Sequence, residues 1–161
     1  MSKAIVLYSG QIAESWSCIL ENLHGNANAA RLYRSTAAYI LSCHIPEIYI
    51  ERTRVKPSDW SKLEREHLLV TNHRLRAQIF IGSYDYGNNL AISWYLVLSA
   101  PDLFTSLSAG HRNLFQQQEL KAFVAVIHRC VRQAIVELLL SFGQEPSQLE
   151  ATSTGFLGVE S

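Results

Sequence analysis

The sequence predicts an α+β fold, with an antiparallel hairpin at its centre and a long helix near its C-terminal end. Three observations support this prediction. Apolar residues near 114–142 follow a helical period, segments near 74–84 and 89–99 resemble two strands around a polar turn, and shorter strand-like segments occur near 4–8 and 47–55. We therefore expect a central sheet that is covered by helices.

The C-terminal helix has the clearest pattern. From residue 120 onward, the apolar residues recur at the i, i+3, i+4 and i+7 spacing of one helix face. Asn113 and Gln116 match a capping box at the start, while Gly143 followed by Pro146 predicts the end. A helix of about 29 residues would extend about 43 Å, which is long for a domain of this size.

The central hairpin is predicted around the letters YDYGNN. If residues 74–84 pair with residues 89–99 across a loop of residues 85–88, then Ile81 faces Ile92 and one face of the ribbon is entirely apolar. A shift of two residues would keep that face apolar. The pattern therefore predicts the pairing but leaves the length of the loop open.

The remaining elements follow from shorter patterns. Amphipathic spacing predicts a helix over residues 12–23 and a second helix over residues 26–43, which Pro46 ends. Pro57, followed by capping residues, predicts a third helix over residues 57–70.

The chain is expected to form a single domain over residues 1–142, followed by a flexible acidic tail over residues 143–161. A length of 161 residues is enough for one domain with a sizeable core. The tail contains three Glu and no Lys or Arg, and no apolar period runs through it. These features predict a segment without a stable core of its own.

The composition limits the classes of function. Fourteen basic and fourteen acidic residues cancel, which argues against non-specific binding of nucleic acid. Only 17% of the residues are charged, against about 25% in an average soluble domain. Part of the surface is therefore expected to be covered in a homo-oligomer, most simply a homodimer.

The cysteines and the apolar segments predict a cytoplasmic protein. The three cysteines lie far apart and form no C-x-x-C pair, so they are expected to be buried thiols in a reducing compartment. The N-terminal segment is too short in apolar residues for a signal peptide, and residues 90–100 are too few to cross a bilayer.

No catalytic residue, cofactor or metal site is predicted. Glu64 and His67 would share a helix face, but the second copy that a di-iron site needs is absent. Cys43 and His44 are adjacent and would point in different directions, although a pairing of Cys43 with a distant histidine stays open. These observations favour a protein without enzymatic activity.

Candidate binding residues fall in two groups, at the hairpin tip and on the outer face of its strands. The alternative for the tip is a plain turn, because Gly and Asn adopt the positive φ angles that hairpin loops need. The candidate tip residues are Tyr84, Asp85, Tyr86, Asn88 and Asn89, and the candidate strand residues are Arg74, Arg76, Phe80 and Tyr95.

Three functions remain open. The first is a non-enzymatic adaptor or regulatory domain that binds proteins, itself included. The second follows from the order of elements, which resembles the helix-grip architecture of START-type ligand carriers; this resemblance implies an apolar cavity of about 300–1,000 Å³ between the sheet and the C-terminal helix. The third and less favoured is a binder of single-stranded nucleic acid that uses Arg74, Arg76, Phe80 and Tyr95 on the outer sheet face.

Overall fold

The computed structural model describes residues 3–21, 23–25, 27–99 and 113–149 of the chain. Within these residues a six-stranded mixed sheet is combined with two α-helices, the second of which is long and lies near the C-terminal end. The predicted α+β class is therefore confirmed.

The strands and helices have the following bounds. The strands are β1 (Ile5–Val6), β2 (Ile12–Leu20), β3 (Ile48–Lys56), β4 (Arg65–Asn72), β5 (Ala77–Tyr86) and β6 (Asn89–Leu98). The helices are α1 (Asn28–Ser42) and α2 (Leu114–Ser141), and short 3₁₀ turns occur at Ser9–Gln11 and Pro146–Leu149.

The order of the strands across the sheet is β1-β3-β4-β5-β6-β2. All neighbouring strands are antiparallel except β1 and β3, which are parallel. The first two strands of the chain therefore form opposite edges of the sheet.

The link between those two edges requires a strongly curved sheet. Val6 pairs with Lys56 at one end of the sheet, whereas Ile12 pairs with Val97 at the opposite end, so residues 7–11 join two diagonal corners. On a flat sheet the two edge strands would lie about 24 Å apart, before the offset along the strands is added. Six residue steps span at most about 20 Å. Twisting of the strands must therefore bring the two corners together.

The main hydrophobic core lies between one face of the sheet and the helices. Alternate residues of each strand point into it, such as Trp16 on β2 and Ile79 on β5, and they meet Ile127 and Val131 of α2. Helix α1 lies beside α2, and the Tyr39 hydroxyl of α1 donates a hydrogen bond to Glu137 of α2 at 2.7 Å.

A smaller cluster covers part of the opposite sheet face. Val55, Leu69 and Phe80 are buried there, and Ile5 and Leu7 from the N-terminal segment pack against them. This packing explains why Phe80 is only 1% exposed on the face that the helices do not cover.

The predictions for α1, β3 and α2 are confirmed. The Asn113 side chain accepts a hydrogen bond from the backbone N–H of Gln116, and the Gln116 side chain accepts one from the backbone N–H of Asn113, as in the predicted capping box. Gly143 has a φ angle of +70°, which suits the left-handed turn that ends α2. The packed chain continues to Leu149, which is 1% exposed in the main core; residues 150–161 lie outside the described residues, so a flexible tail there stays a prediction.

The helix predicted over residues 12–23 is wrong, because these residues contain strand β2. The apolar residues Ile12, Trp16 and Leu20 are four apart, and such positions share a face both on a helix and on a strand. In the structure Trp16, Cys18 and Leu20 alternate with exposed residues and pair with β6.

The helix predicted over residues 57–70 is also wrong, because residues 65–70 belong to strand β4. This strand lies inside the sheet, and its residues 67–70 are buried on both faces. A strand covered on both sides loses the alternation that identifies it in sequence, so the run of apolar residues was compatible with either element.

A buried tyrosine connects α1 to the sheet where β4 and β5 stop pairing. The last register pair is His67 with Gly82, and beyond it the Tyr33 hydroxyl donates to the Glu66 carbonyl at 2.8 Å and accepts from the Ser83 amide at 2.7 Å. Burial raises the pKa of Tyr33 to about 12. The hydroxyl thus satisfies two backbone groups that would otherwise be buried without partners.

We expect Tyr33→Phe to lower the free energy of unfolding by about 1–3 kcal/mol, because it leaves the Ser83 amide and the Glu66 carbonyl unsatisfied. Urea denaturation measures this change. Tyr39→Phe is the matched control, since its hydroxyl bond to Glu137 is at the surface and its loss should cost less than about 0.5 kcal/mol. Equal costs for the two variants would contradict the assigned role of Tyr33.

Candidate functional site

The most exposed large apolar side chain of the described residues is Trp60, in the loop between β3 and β4. It is 94% exposed, and Leu63 in the same loop is 58% exposed. At the end of β5, Tyr86 is 72% and Tyr84 38% exposed. Large exposed apolar side chains are typical of a binding surface where they share one region of the molecule.

These four residues lie at the same end of the sheet. Strand β3 ends at Lys56 and β4 begins at Arg65, while β5, antiparallel to β4, ends at Tyr86. The β3–β4 loop and the β5–β6 turn therefore project from the same end of the sheet. We call Trp60, Leu63, Tyr84 and Tyr86 the aromatic end.

Local contacts hold the aromatic end in position. The guanidinium carbon of Arg65 lies 3.9 Å from the centre of the Tyr84 ring, which is a close cation–π contact. In the loop, the Tyr8 hydroxyl donates a hydrogen bond to the Asp59 carboxylate at 2.8 Å. This bond to a negative charge raises the pKa of Tyr8. The N-terminal segment thereby anchors the loop that carries Trp60.

Two ion pairs of β3 lie near the aromatic end, and Arg52 is on the sheet face that α1 covers, because it also contacts the Ala30 carbonyl and the Tyr33 ring. Arg54 lies 3.1 Å from Glu64, and Arg52 lies 3.3 Å from Glu66. Both pairs are partly exposed, so each contributes little to stability. The loop and turn that form the aromatic end, residues 56–65 and 84–89, contain three basic and three acidic residues, so their formal charges cancel.

The hairpin turn is tighter than predicted. Tyr86 pairs with Asn89, so only Gly87 and Asn88 form the loop, and Gly87 has a φ angle of +63°. The expected partner of Ile81 was wrong, because Ile81 pairs with Trp94. The difference is the shift of two residues that keeps the same face apolar. The two-residue loop places Asp85 and Tyr86 on the strand itself and leaves Asn88 exposed in the turn.

The structure separates Arg74 and Arg76 from the hairpin tip. Both lie in the turn between β4 and β5, at the end of the sheet opposite the aromatic end. Arg74 forms an ion pair with Glu119 of α2 at 3.1 Å, and Arg76 has a φ angle of +51°. The predicted strand residues therefore do not form one surface with Tyr84 and Tyr86.

Phe80 and Tyr95 do lie side by side, because they are register partners on β5 and β6. Phe80 is buried beneath its neighbours, however, and Tyr95 is half-buried against the same small cluster. Stacking of nucleobases requires an accessible aromatic face. The position of Phe80 therefore does not favour this use of the outer face.

Trp60 and Leu63 were missed in the sequence because residues 57–70 were expected to be helical. On that helix Trp60 would have been one apolar position of an amphipathic face. The letters PSD at residues 57–59 are turn formers as well as helix caps, and that signal could have identified a loop.

A second cluster of interest contains His128 between two tryptophans. The Trp94 indole donates a hydrogen bond to His128 Nδ1 at 3.0 Å, and the Trp16 ring centre lies 5.0 Å from that of the imidazole. Burial, with a smaller effect of Arg132, lowers the pKa of His128 to about 4. Because Nδ1 accepts the indole hydrogen bond, the imidazole is neutral and serves to hold α2 on the sheet.

Cys18 does not combine with His128 into a catalytic pair. Burial raises the pKa of the Cys18 thiol to about 12, so the thiol stays protonated at neutral pH. A thiolate is the nucleophilic form of cysteine. The cluster is therefore part of the core.

An open cleft of about 260 Å³ lies between α1 and α2, lined by Arg31, Leu32, Arg34, Ser35, Ala134, Glu137 and Leu138. Arg31 donates a hydrogen bond to the Ser141 hydroxyl at 2.9 Å across it. The helix-grip resemblance implied an apolar cavity elsewhere, between the sheet and the C-terminal helix. There the buried side chains of Ile79, Ile127 and Val131 occupy the space. The geometry therefore does not favour a ligand carrier.

Within residues 3–21, 23–25, 27–99 and 113–149, no three His, Cys, Asp or Glu side chains come together in a group suited to a metal ion. Glu64 and His67 do not share a helix face, because Glu64 directly precedes strand β4 and His67 lies in it. Glu64 forms an ion pair with Arg54. Among the same residues, neither helix is long and apolar enough to cross a membrane.

Comparison with known proteins identifies no relative: no protein family, no curated protein and no solved structure matches the chain. The resemblance to helix-grip carriers gains no support from these comparisons. Function must therefore be inferred from the side chains themselves.

The lowered pKa of His128 makes stability dependent on pH. In the unfolded chain a histidine takes up a proton below about pH 6.5, whereas folded His128 stays neutral down to a pKa of about 4. The unfolded state thus binds more protons between these values. We expect the contribution of His128 to be complete above about pH 6.5 and to fall by about 1–2 kcal/mol as the pH approaches 4, since the imidazole is only half-buried and solvent screens part of the effect.

Urea denaturation of wild type and His128→Gln at several pH values tests this expectation. Glutamine keeps a hydrogen-bond acceptor for Trp94 but does not titrate, so the wild type should lose more stability than the variant between pH 7 and pH 4. His73→Gln, at an exposed turn position, controls for the loss of a histidine. Parallel curves for wild type and His128→Gln would show that the assignment is wrong.

Proposed function

We propose that this protein is a non-enzymatic interaction domain that binds a second copy of itself through the aromatic end. The observation that supports the proposal is the exposure of Trp60, at 94%, and of Tyr86, at 72%, on the same end of a rigid sheet. Regulatory or adaptor activity would follow from this association. The three cysteines are free thiols, which supports a cytoplasmic location as part of the same proposal.

The residue types at the aromatic end are those that contribute most to protein interfaces. Trp, Tyr and Arg are enriched among the residues whose loss weakens complexes most. Tyr86 stands beside a two-residue turn, and the Arg65 contact holds Tyr84 in one position. Side chains that are already ordered lose less conformational entropy on binding.

A second copy of the chain is the partner that the charge distribution favours. A two-fold interface brings each surface patch against its own copy, so a patch with excess charge of one sign would repel itself. The loop and turn of the aromatic end, residues 56–65 and 84–89, contain three basic and three acidic residues. The apolar groups between them can meet their own copies without such repulsion.

The same balance argues against nucleic acid as the partner. Binding to the phosphate backbone requires several cations that release counterions from it. The chain has a net charge of zero, and of the two cations of the predicted nucleic-acid surface, Arg74 and Arg76, Arg74 is paired with Glu119.

Sedimentation equilibrium over a range of concentrations tests the proposal. We expect the wild type to form a dimer, and Trp60→Ala or Tyr86→Ala to raise the dimer Kd by about 10-fold or more, because each removes a large aromatic contact. The double variant should be monomeric at concentrations where the wild type is dimeric.

Tyr49→Ala is the matched control, because Tyr49 is 56% exposed and lies at the opposite end of β3. Its dimer Kd should not change. A wild type that stays monomeric, or a Tyr49→Ala variant that dissociates as readily as Trp60→Ala, would overturn the proposal. Native mass spectrometry of the same samples would reveal a retained small molecule, which would instead support the ligand-carrier alternative.

A further inference from the structure

Two cysteines that are distant in sequence lie in contact between the helices. Cys43 is the residue directly after α1, and Cys130 lies in the middle of α2. Their sulfur atoms are 3.8 Å apart, although 87 positions separate the two residues along the chain. A disulfide requires two sulfurs about 2.05 Å apart. A side-chain rotation with a small shift of the α1 end would therefore bring them to bonding distance.

The two thiols differ in their access to solvent. Cys43 is exposed, whereas Cys130 is only 2% exposed in the main core. Burial, and then the hydrogen bond with Cys43, raise the pKa of Cys130 to about 12. An oxidant from solution can thus reach Cys43 first, while Cys130 is placed to react only with a sulfur held by Cys43.

We propose that Cys43 and Cys130 form a reversible disulfide, with Cys43 as the attacking thiol and Cys130 as the resolving thiol. The expectation that all three cysteines are buried was wrong for Cys43, which is at the surface. The proposal concerns modification of the helix layer and is independent of the association through the aromatic end.

The oxidant is a small-molecule disulfide, such as oxidised glutathione. The Cys43 thiolate attacks one sulfur of the oxidant, so a mixed disulfide forms and one molecule of thiol leaves. Cys130 then attacks the Cys43 sulfur and breaks the bond of the mixed disulfide, and the proton of Cys130 passes through water to the departing thiolate, which leaves as the second molecule of thiol. In total, the two protein thiols are oxidised to one disulfide and the small disulfide is reduced to two thiols. Excess thiol drives the same steps backwards.

Closure of this bond would fasten the end of α1 to the middle of α2. The resulting covalent loop is long, so it restricts the unfolded chain far more than the folded one, in which the sulfurs already touch. We expect the oxidised protein to unfold at a temperature roughly 5–15 °C higher than the reduced protein.

The test incubates the full chain in glutathione buffers of increasing oxidised fraction and then blocks free thiols at low pH. Intact mass should show the loss of two hydrogen atoms, and peptide mapping should find Cys43 joined to Cys130. Cys18→Ala should close in the same way, because Cys18 lies on β2 and plays no part in the reaction. Reduction should restore the original mass and the original Tm.

Two variants separate the roles of the thiols. Cys130→Ala should accumulate a glutathione adduct on Cys43, whereas Cys43→Ser should show neither the adduct nor the crosslink. Circular dichroism confirms that each variant is folded. A stable glutathione adduct on Cys43 in the wild type, a dimer linked through Cys43, or no reaction in the wild type and in Cys18→Ala would each overturn the proposal.

Discussion

The structure depends on the short link that joins β1 to β2. Residues 7–11 connect diagonal corners of a six-stranded sheet, and they reach only because the sheet is strongly twisted. The same link places Leu7 on one sheet face, where it packs with Val55 and Phe80. It also carries Tyr8, whose hydroxyl donates a hydrogen bond to Asp59. This short link thus fits only a curved sheet, covers part of its second face and anchors the loop at the aromatic end.

The packing on the two faces of the sheet limits where a partner can bind. One face is occupied by α1 and α2, and part of the other is occupied by the N-terminal segment. Among the described residues, most of the large exposed aromatic side chains therefore lie near strand ends or in the β3–β4 loop. The buried polar groups, Tyr33 at the β4–β5 junction and His128 beneath Trp94, make hydrogen bonds that position the helices. Their perturbed pKa values therefore have a structural cause, and the exposed Trp60 and Tyr86 carry the functional proposal.

Prediction from sequence succeeded where one element supplies its own signals. Helix α2 has an uninterrupted apolar face, a capping box at Asn113 and a terminal Gly143, and all three are local. It failed for β2 and β4. Apolar residues four apart suit either element in β2, and burial on both faces removes the alternation in β4. The sequence predicted Tyr84 and Tyr86 as binding residues, and both are exposed, whereas the exposure of Trp60 was missed because residues 57–70 were expected to be helical.

By itself the sequence determined the α+β class, the pairing of the two hairpin strands, the extent of α2 and the near-neutral surface, because periodicity, capping residues and charge are properties of short segments or of composition. Only the tertiary structure decided the hairpin register, the separation of Arg74 from the aromatic end and the contact between Cys43 and Cys130. These features arise from the order and twist of the strands. The order and twist of the strands bring together residues that are far apart in the chain, and no local sequence pattern shows which of these residues will be in contact.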